Sequence, residues 1–400
     1  MSDLRELLGD LAGGARTGDF TERALVLGRR RRAGRRIGAS IAAALTAALL
    51  GGVVVQAAAR RDDAPPPPPS PTPSTLTPPR DCVAQYPALP AGYEGGRATV
   101  TGGDPTGRYL VGGVVPSTDA APGSQPALWD GGEPQAVPVE GGMAEFAAVN
   151  SAGTAVGRSY VDDSVWQPWA YRNGAVIRMK GYQMSPMAIN SAGVVVGYQR
   201  IDGDGHHDRP VRWRTVDGEP ELLPLPKGME RWWGMAVAID DDGTVAGFFA
   251  DDKAEGVRSF LWAPDGSVRE LVGPPQPGVT AAQLDTRVTA IRGGWVTGYS
   301  GDFRENGTSI TTLWNLATDE VRLVESPSIN RPVVNAKGWL VGAASGGGLA
   351  AVRGADVLEL PKPAGSGSYA PVFVSDDGRV VAAADQVLPM RGAALVWHCS

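Results

Sequence analysis

Short apolar runs separated by polar turns dominate the chain from about residue 100 onwards, and residues 187–213 show the pattern most fully. Met187 to Ile189 and Val194 to Val196 are apolar, and β-branched residues favour a pleated strand. The turn between them, Asn190 to Gly193, begins with a side chain that can bond its own backbone and ends with a residue that tolerates positive φ. Two further strands are predicted, the second of them an outer one: Pro210 to Trp213 and Glu221 to Pro224.

This four-stranded unit recurs to the end of the chain. Its turn glycine returns at intervals of 46, 40, 50, 51, 44 and 40 residues: Gly107, Gly153, Gly193, Gly243, Gly294, Gly338 and Gly378. A small residue follows four places later in six copies and five places later in the first: Gly157, Gly197, Gly247, Gly298, Gly342, Ala382 and, in the first copy, Gly112. The third strand ends on an aromatic residue in every copy but one: Trp129, Tyr171, Trp213, Trp262, Trp314, Val352 and Trp397.

A unit of four short strands cannot bury both of its faces alone, so it must stack against copies of itself. A period of roughly 40–50 residues with a recurrent tryptophan is typical of β-propellers. The sequence therefore predicts an all-β fold, a seven-bladed β-propeller with four-stranded blades, in residues 81–400.

The ends of this domain are predicted to meet in one blade. The seventh unit, residues 372–397, supplies only three strands, and Ala88 to Pro90 match the outer-strand pattern of earlier units. We therefore expect residues 83–90 to complete the last blade and close the ring. Cys82 and Cys399 flank this seam, which predicts a disulfide in an exported protein; two free thiols or an intermolecular bridge are the alternatives.

The segment Ala188 to Gly197 resembles the A-x-I-N-x-x-G-x-V-V-G segment of the HAF family of extracellular repeats, and the resemblance extends over residues 100–397. The His-Ala-Phe triplet of that family is missing, and its places hold other residues, at 125–127, 209–211 and 258–260. The resemblance implies a propeller and an exported location. It implies no catalytic residue, because the family has no single activity.

The N-terminal 80 residues are predicted to attach this domain to a membrane. Residues 37–59 contain no charge and are long enough to cross a hydrocarbon core of about 30 Å as a helix. Seven arginines in the 15 preceding residues place the N-terminus in the cytoplasm. Residues 1–36 form a cytosolic tail with a leucine-rich helix, which either docks on a cytosolic partner or lies on anionic lipid. Residues 60–80 are a proline-rich, extended linker.

A cleaved signal peptide is the alternative to this single-pass anchor, because Ala57-x-Ala59 is a possible cleavage site. We favour the anchor, since a leader of 36 residues with five acids is a poor signal-peptide start and the apolar run is longer than a signal requires.

Charge and motif content exclude several functions. Residues 1–36 carry nine arginines and five acids, so the rest of the chain has a net charge of −10, against −6 for the whole. An exported acidic domain lacks the electrostatic footprint of a nucleic-acid-binding protein. The sequence contains no nucleophile elbow, phosphate loop, zinc spacing or dinucleotide fingerprint, so no catalytic residue, cofactor or metal is predicted.

Candidate binding residues concentrate on one face of the predicted ring, here called the loop face, which is formed by the loops between second and third strands and by the links between blades. The opposite, turn face carries short and uniform turns between first and second strands, such as Asn190 to Gly193. Functional groups concentrate on variable loops over a rigid scaffold, so we expect binding on the loop face. The candidates are Asp162, Asp163, Asp202, Asp204, His206, Asp208, Trp232, Trp233, Asp251 and Asp252.

These observations predict a membrane-anchored extracellular module that binds or senses a protein, a peptide or an envelope glycan. Two alternatives remain open: a glycan lyase or hydrolase that uses the acidic face, and a transmembrane regulator whose tail acts on a sigma factor or a similar partner. Residues 201–208 carry acids and paired histidines, but their order fits no EF-hand and too few partners are visible for a transition metal.

Overall fold

The computed structural model describes residues 81–117, 124–161, 165–201, 208–251, 256–304, 308–325, 329–344, 348–363, 368–385 and 393–400. Within these ranges, no helix is long and apolar enough to cross a membrane. The predicted cytosolic tail, membrane anchor and linker all lie outside the described residues.

The described chain folds into seven antiparallel four-stranded sheets, which confirms the predicted seven-bladed β-propeller. The strands, in chain order, are β1 (Cys82–Gln85), β2 (Arg97–Gly103), β3 (Tyr109–Val115), β4 (Gln125–Asp130), β5 (Glu133–Ala136), β6 (Gly142–Val149), β7 (Ala155–Tyr160), β8 (Trp166–Arg172), β9 (Ala175–Arg178), β10 (Met184–Ile189), β11 (Val195–Arg200), β12 (Asp208–Trp213), β13 (Pro220–Leu222), β14 (Trp233–Ile239), β15 (Val245–Ala250), β16 (Val257–Trp262), β17 (Val268–Leu271), β18 (Asp285–Arg292), β19 (Trp295–Gly301), β20 (Ser309–Asn315), β21 (Glu320–Val324), β22 (Ile329–Val334), β23 (Leu340–Ala344), β24 (Leu349–Arg353), β25 (Asp356–Leu360), β26 (Tyr369–Val374), β27 (Val380–Asp385) and β28 (Leu395–Cys399).

Blades 1 to 6 are the successive groups of four strands from β2 to β25, and blade 7 contains β26, β27, β28 and β1. The first strand of each blade contacts the first strands of both neighbouring blades, so these seven strands surround the axis of the ring. In every blade, the pairing between the first and the second strand shifts register at a β-bulge on the first strand. In blade 3 the bulge is at Met187. Such bulges bend a strand and increase its twist.

The repeated small residue is explained by this bulge. A Cβ atom on Gly197 would collide with the backbone carbonyl oxygen of Ser185, and the corresponding glycines of blades 1, 2, 4 and 5 have the same restriction. In blade 7 the residue in this register is Ala383 and not Ala382, because the preceding turn is one residue longer than in blade 3. All seven turn glycines have positive φ, as predicted.

The hydrophobic core lies between the blades. Seven clusters of buried side chains each join two neighbouring blades; for example, Val196 of blade 3 packs with Phe249 and Trp262 of blade 4. The third-strand tryptophans also bond the link that enters their own blade: the indole of Trp262 donates to the carbonyl oxygen of Pro224 at 2.7 Å. Trp129, Trp213, Trp314 and Trp397 make equivalent bonds.

The predicted ring closure is confirmed, with one change of boundary. Strand β1 pairs with β28 in blade 7, and Cys82 is bonded to Cys399 directly across the two strands. Pairing ends at Gln85, so residues 86–90 do not form part of the outer strand as expected. They belong to the link into blade 1, where the Ala88 carbonyl accepts the indole bond of Trp129.

Candidate functional site

The structure describes four of the ten predicted binding residues. Asp162, Asp163, Asp202, Asp204, His206 and Asp252 lie outside the described residues. Asp251 is half-buried where the second strand of blade 4 ends, and its backbone N–H donates to the Gly256 carbonyl. Asp208 is buried at the start of β12 and lies 3.8 Å from the Arg200 guanidinium, so it is an internal ion-pair partner and not a loop-tip acid.

Trp232, at the end of the link, and Trp233, the first residue of β14, are both half-buried. Trp232 packs on the core between blades 3 and 4, and the Trp233 ring lies edge-on to Phe248 with 5.7 Å between the ring centroids. The link that carries them is held by Arg209, which donates to the Trp232 carbonyl at 2.6 Å and to the Glu230 carbonyl at 3.0 Å. These indoles therefore offer only part of their surface to a ligand, from a fixed position.

A polar cluster that the sequence analysis did not identify joins blades 2 and 3 on the loop-face side of the bulges. Arg158 bonds Glu145 at 2.7 Å within blade 2, and it reaches Ser185 at 2.9 Å and the Tyr198 hydroxyl at 3.0 Å in blade 3. Burial opposes the charge of Arg158, but Tyr198 and Glu145 outweigh it and raise the pKa of the guanidinium. Burial likewise raises the pKa of Tyr198, so this phenol stays protonated.

Trp166 extends this cluster through contacts of its ring with two cations. The guanidinium carbons of Arg158 and Arg200 each lie 4.2 Å from its ring centroid, and the Tyr198 ring meets it edge-on. Cation–π contacts of desolvated arginines are worth about 2 kcal/mol. Since Arg200 also faces Asp208, the cluster is internally compensated and serves to join the two blades.

Beside this cluster, the loop face exposes large apolar side chains at equivalent places in blades 2 and 3. In blade 2 these are Met143 and Val161, which follow the paired residues Gly142 and Tyr160. In blade 3 they are Tyr182 and Ile201, which adjoin the backbone hydrogen bond from Arg200 to Gln183. The exposed fractions are 70% for Met143, 49% for Val161, 65% for Tyr182 and 51% for Ile201.

The backbone is strained at the same two places. Met143 has φ 49° and Gln183 has φ 55°, a region that non-glycine residues rarely adopt. The other two described non-glycine residues with positive φ, Asn173 and Asp319, lie in turns between third and fourth strands. Strained residues outside turns cluster at ligand sites, where the surrounding structure holds them in place.

The turn face has the opposite character, because its polar groups are bonded to one another around the ring. The Asn150 amide donates to the Asn190 carbonyl at 3.0 Å, and the Asn190 amide donates to the Asp240 carbonyl at 3.1 Å. Further bonds between blades join Asp104 to Ser151, Asp240 to Gly293 and Gly294, Asn335 to Ser375, and Asp376 to Pro105 and Ala336.

Arg292 adds a bridge between blades that are not neighbours. From blade 5 it bonds Asp241 of blade 4 at 2.6 Å and Asp376 of blade 7 at 2.6 Å. Blade 6 lies between blades 5 and 7, so the contact with Asp376 spans the width of a whole blade on the turn face. Burial opposes the charge, but the two carboxylates outweigh it and raise the pKa of Arg292.

The sequence does contain a signal for the polar cluster. The residue directly after the repeated small residue is large in blades 2 to 5 and small elsewhere: Arg158, Tyr198, Phe248 and Tyr299 against Gly113, Ala343 and Ala384.

No group of three or more His, Cys, Asp or Glu residues within the described ranges is arranged to hold a metal ion.

No protein-family model matches this sequence, and no curated protein resembles it significantly. Several solved structures are distantly similar to this chain. An oligogalacturonate lyase from Vibrio parahaemolyticus is 13% identical over 76% of this chain and 90% of that chain, with a TM-score of 0.49. YCF48 bound to D1 peptide is 14% identical over 81% and 98%, with a TM-score of 0.46. The Pyrococcus horikoshii acylaminoacyl peptidase is 13% identical over 72%, and this chain spans 51% of it, with a TM-score of 0.45. Similarity this low carries no inference about ligand or activity.

Proposed function

We propose that this protein is a membrane-anchored extracellular β-propeller that binds or senses a protein, a peptide or an envelope glycan through its loop face. The contrast between the two faces carries the proposal. On the turn face, polar side chains are bonded to neighbouring blades, while the loop face exposes Met143 and Tyr182 beside strained backbone.

Location outside the cytoplasm is supported by two independent features. The disulfide between Cys82 and Cys399 joins residues 317 apart in the chain, and such bonds persist in oxidising compartments. The arginine-flanked apolar segment at residues 37–59 supplies an anchor with the N-terminus inside. Edman sequencing of protein recovered from membranes tests the anchor, and a mature N-terminus near Arg60 would contradict it.

Side-chain hydrogen bonds hold the described parts of the proposed binding surface in place. Arg209 holds the link that carries Trp232 and Trp233, and Arg158 joins blades 2 and 3 through Ser185 and Tyr198. A preorganised surface loses little conformational entropy when a ligand binds. Exposed aromatic and methionine side chains on such a surface favour recognition of an extended partner rather than catalysis.

The experiment is a peptide and glycan array probed with residues 81–400, which contain every described element. Hits are then measured with Tyr182→Ala and Trp233→Ala on the loop face and with Ser191→Lys on the turn face. We expect the two loop-face changes to weaken binding and Ser191→Lys to leave it unchanged. The face is wrongly assigned if Ser191→Lys abolishes binding in a folded protein while the alanine variants bind normally.

A further inference from the structure

A second arginine, on the innermost strand of blade 5, has a different environment from that of Arg158. Arg287 lies in β18 and pairs across the sheet with Tyr299. Its guanidinium carbon is 4.7 Å from the centroid of the Phe248 ring in blade 4, and Trp233 packs edge-on against the same ring. The half-buried guanidinium therefore lies against an aromatic wall on the loop-face side of the seam between blades 4 and 5.

Arg287 has no acidic partner within the described part of the chain. Arg158 bonds Glu145, and Arg292 bonds two aspartates, whereas burial lowers the pKa of Arg287 and the group that opposes this shift is the Tyr299 phenol, not a carboxylate. The nearby Asp285 is occupied by the backbone N–H groups of Val257 and Phe303. A desolvated charge without a counter-ion destabilises a fold, and ligand sites are where such groups are retained.

The surroundings of Arg287 define the chemistry of a ligand. A guanidinium presents a planar fork of donors that matches a carboxylate, and the rings of Phe248 and Trp233 favour an apolar or aromatic group next to it. Arg287 lies near the loop-face end of β18, so a ligand would reach it from that face, and a chain end fits such an approach.

The net charge of the domain favours a peptide C-terminus over an acidic glycan as the ligand of Arg287. The chain after residue 36 has a net charge of −10, which repels a polymer with a carboxylate on every sugar. A single carboxylate at the end of an otherwise neutral or basic peptide meets the Arg287 guanidinium without this repulsion.

We propose that Arg287 binds the C-terminal carboxylate of a peptide, whose last side chain packs against Phe248 and Trp233. This inference rests on the proposed binding function and names its ligand class.

The test uses the full-length chain in detergent with acetyl-phenylalanine and acetyl-phenylalanine amide as probes, followed by NMR titration. Arg287→Gln removes the charge, and Arg269→Gln is the matched control, because Arg269 is an exposed arginine of blade 4 that is paired with Asp319. We expect saturable binding of the acid and about tenfold weaker binding of the amide, since one charge-assisted bond is lost. Arg287→Gln should weaken binding of the acid to the same extent, and Arg269→Gln should leave it unchanged.

Thermal unfolding distinguishes a ligand site from a structural arginine. Arg287→Gln should melt at the wild-type temperature or above it, whereas Arg158→Gln should melt lower because it strands Glu145 and Tyr198. Equal losses in the two variants would overturn the proposal, as would absence of acid binding in the wild type.

Trigalacturonate is the competing probe. If it binds in an Arg287-dependent manner and acetyl-phenylalanine does not, the peptide assignment is wrong and the ligand is an acidic glycan. If array hits bind regardless of C-terminal amidation and of Arg287→Gln, the proposed binding function stands and only this inference fails.

Discussion

Replacing Arg292 with Met tests whether the ring is held by a bridge between non-adjacent blades. The substitution keeps an unbranched apolar side chain in place of the aliphatic stem and removes both ion pairs, to Asp241 and Asp376. Breaking a fully buried pair costs about 3–5 kcal/mol and an exposed pair about 0–1 kcal/mol. The Arg292 side chain is 20% exposed and its partners are 37% and 28% exposed, so it lies between these limits. We expect a loss of about 2–3 kcal/mol in the free energy of unfolding.

The measurement is equilibrium urea unfolding followed by tryptophan fluorescence at pH 7. Arg269→Met is the control, because the Arg269–Asp319 pair is 52% and 80% exposed and should contribute under about 0.5 kcal/mol. The reasoning is refuted if both variants lose the same amount or if Arg292→Met loses nothing.

The bridge also predicts a pH dependence. Burial opposes ionisation of Asp241, but bonds from Ser191 and Arg292 outweigh it, so the pKa of this carboxyl lies below its ordinary value. A lowered folded-state pKa stabilises the protein above the unfolded pKa of about 3.9, and the contribution is lost as pH falls through the folded value. The difference in stability between wild type and Arg292→Met should therefore shrink as pH falls below 4; a constant difference would show that the ion pair is not its cause.

Three further changes test the ring and its repeats. Replacing Cys82 and Cys399 with Ser should lower stability by up to about 5 kcal/mol and reduce cooperativity in urea, and unchanged unfolding would contradict the closure. Gly197→Ala should lose about 1–3 kcal/mol against the Ser185 carbonyl, while Gly348→Ala, which meets nothing within 4 Å, should be neutral in the same assay. Trp262→Phe should lose about 2–3 kcal/mol, because replacing the buried indole leaves part of its core volume empty and the Pro224 carbonyl loses its donor; a neutral result would contradict both effects.

The sequence predicts the repeats well because each repeat residue has a local cause. A turn glycine with positive φ and a small residue such as Gly197 are needed wherever the unit recurs, so their spacing alone reveals the blades. The closing strand was also predictable, because blade 7 lacked one strand and the two cysteines flank the seam, although the residues matched to an outer strand, Ala88 to Pro90, lie in the link. Its end at Gln85 was not, because pairing stops where the link must turn towards Trp129.

The candidate site was less predictable, because it depends on contacts between distant repeats. Arg292 and Asp376 are 84 residues apart and belong to different units, so no repeat pattern pairs them. Asp208 looked like a loop-tip acid by sequence, yet β12 begins at this residue and buries it beside Arg200. The exposed apolar residues of blades 2 and 3 are ordinary by composition, and only their common face makes them a candidate surface.

The measurement that tests the central claim most directly is hydrogen–deuterium exchange of the full-length protein with and without a bound array hit. Binding on the loop face predicts slower exchange in residues 142–146, 181–186 and 229–235. The turn segments 150–154, 190–194 and 240–244 should be unchanged. Protection of these turn segments, with none on the loop face, would contradict the account.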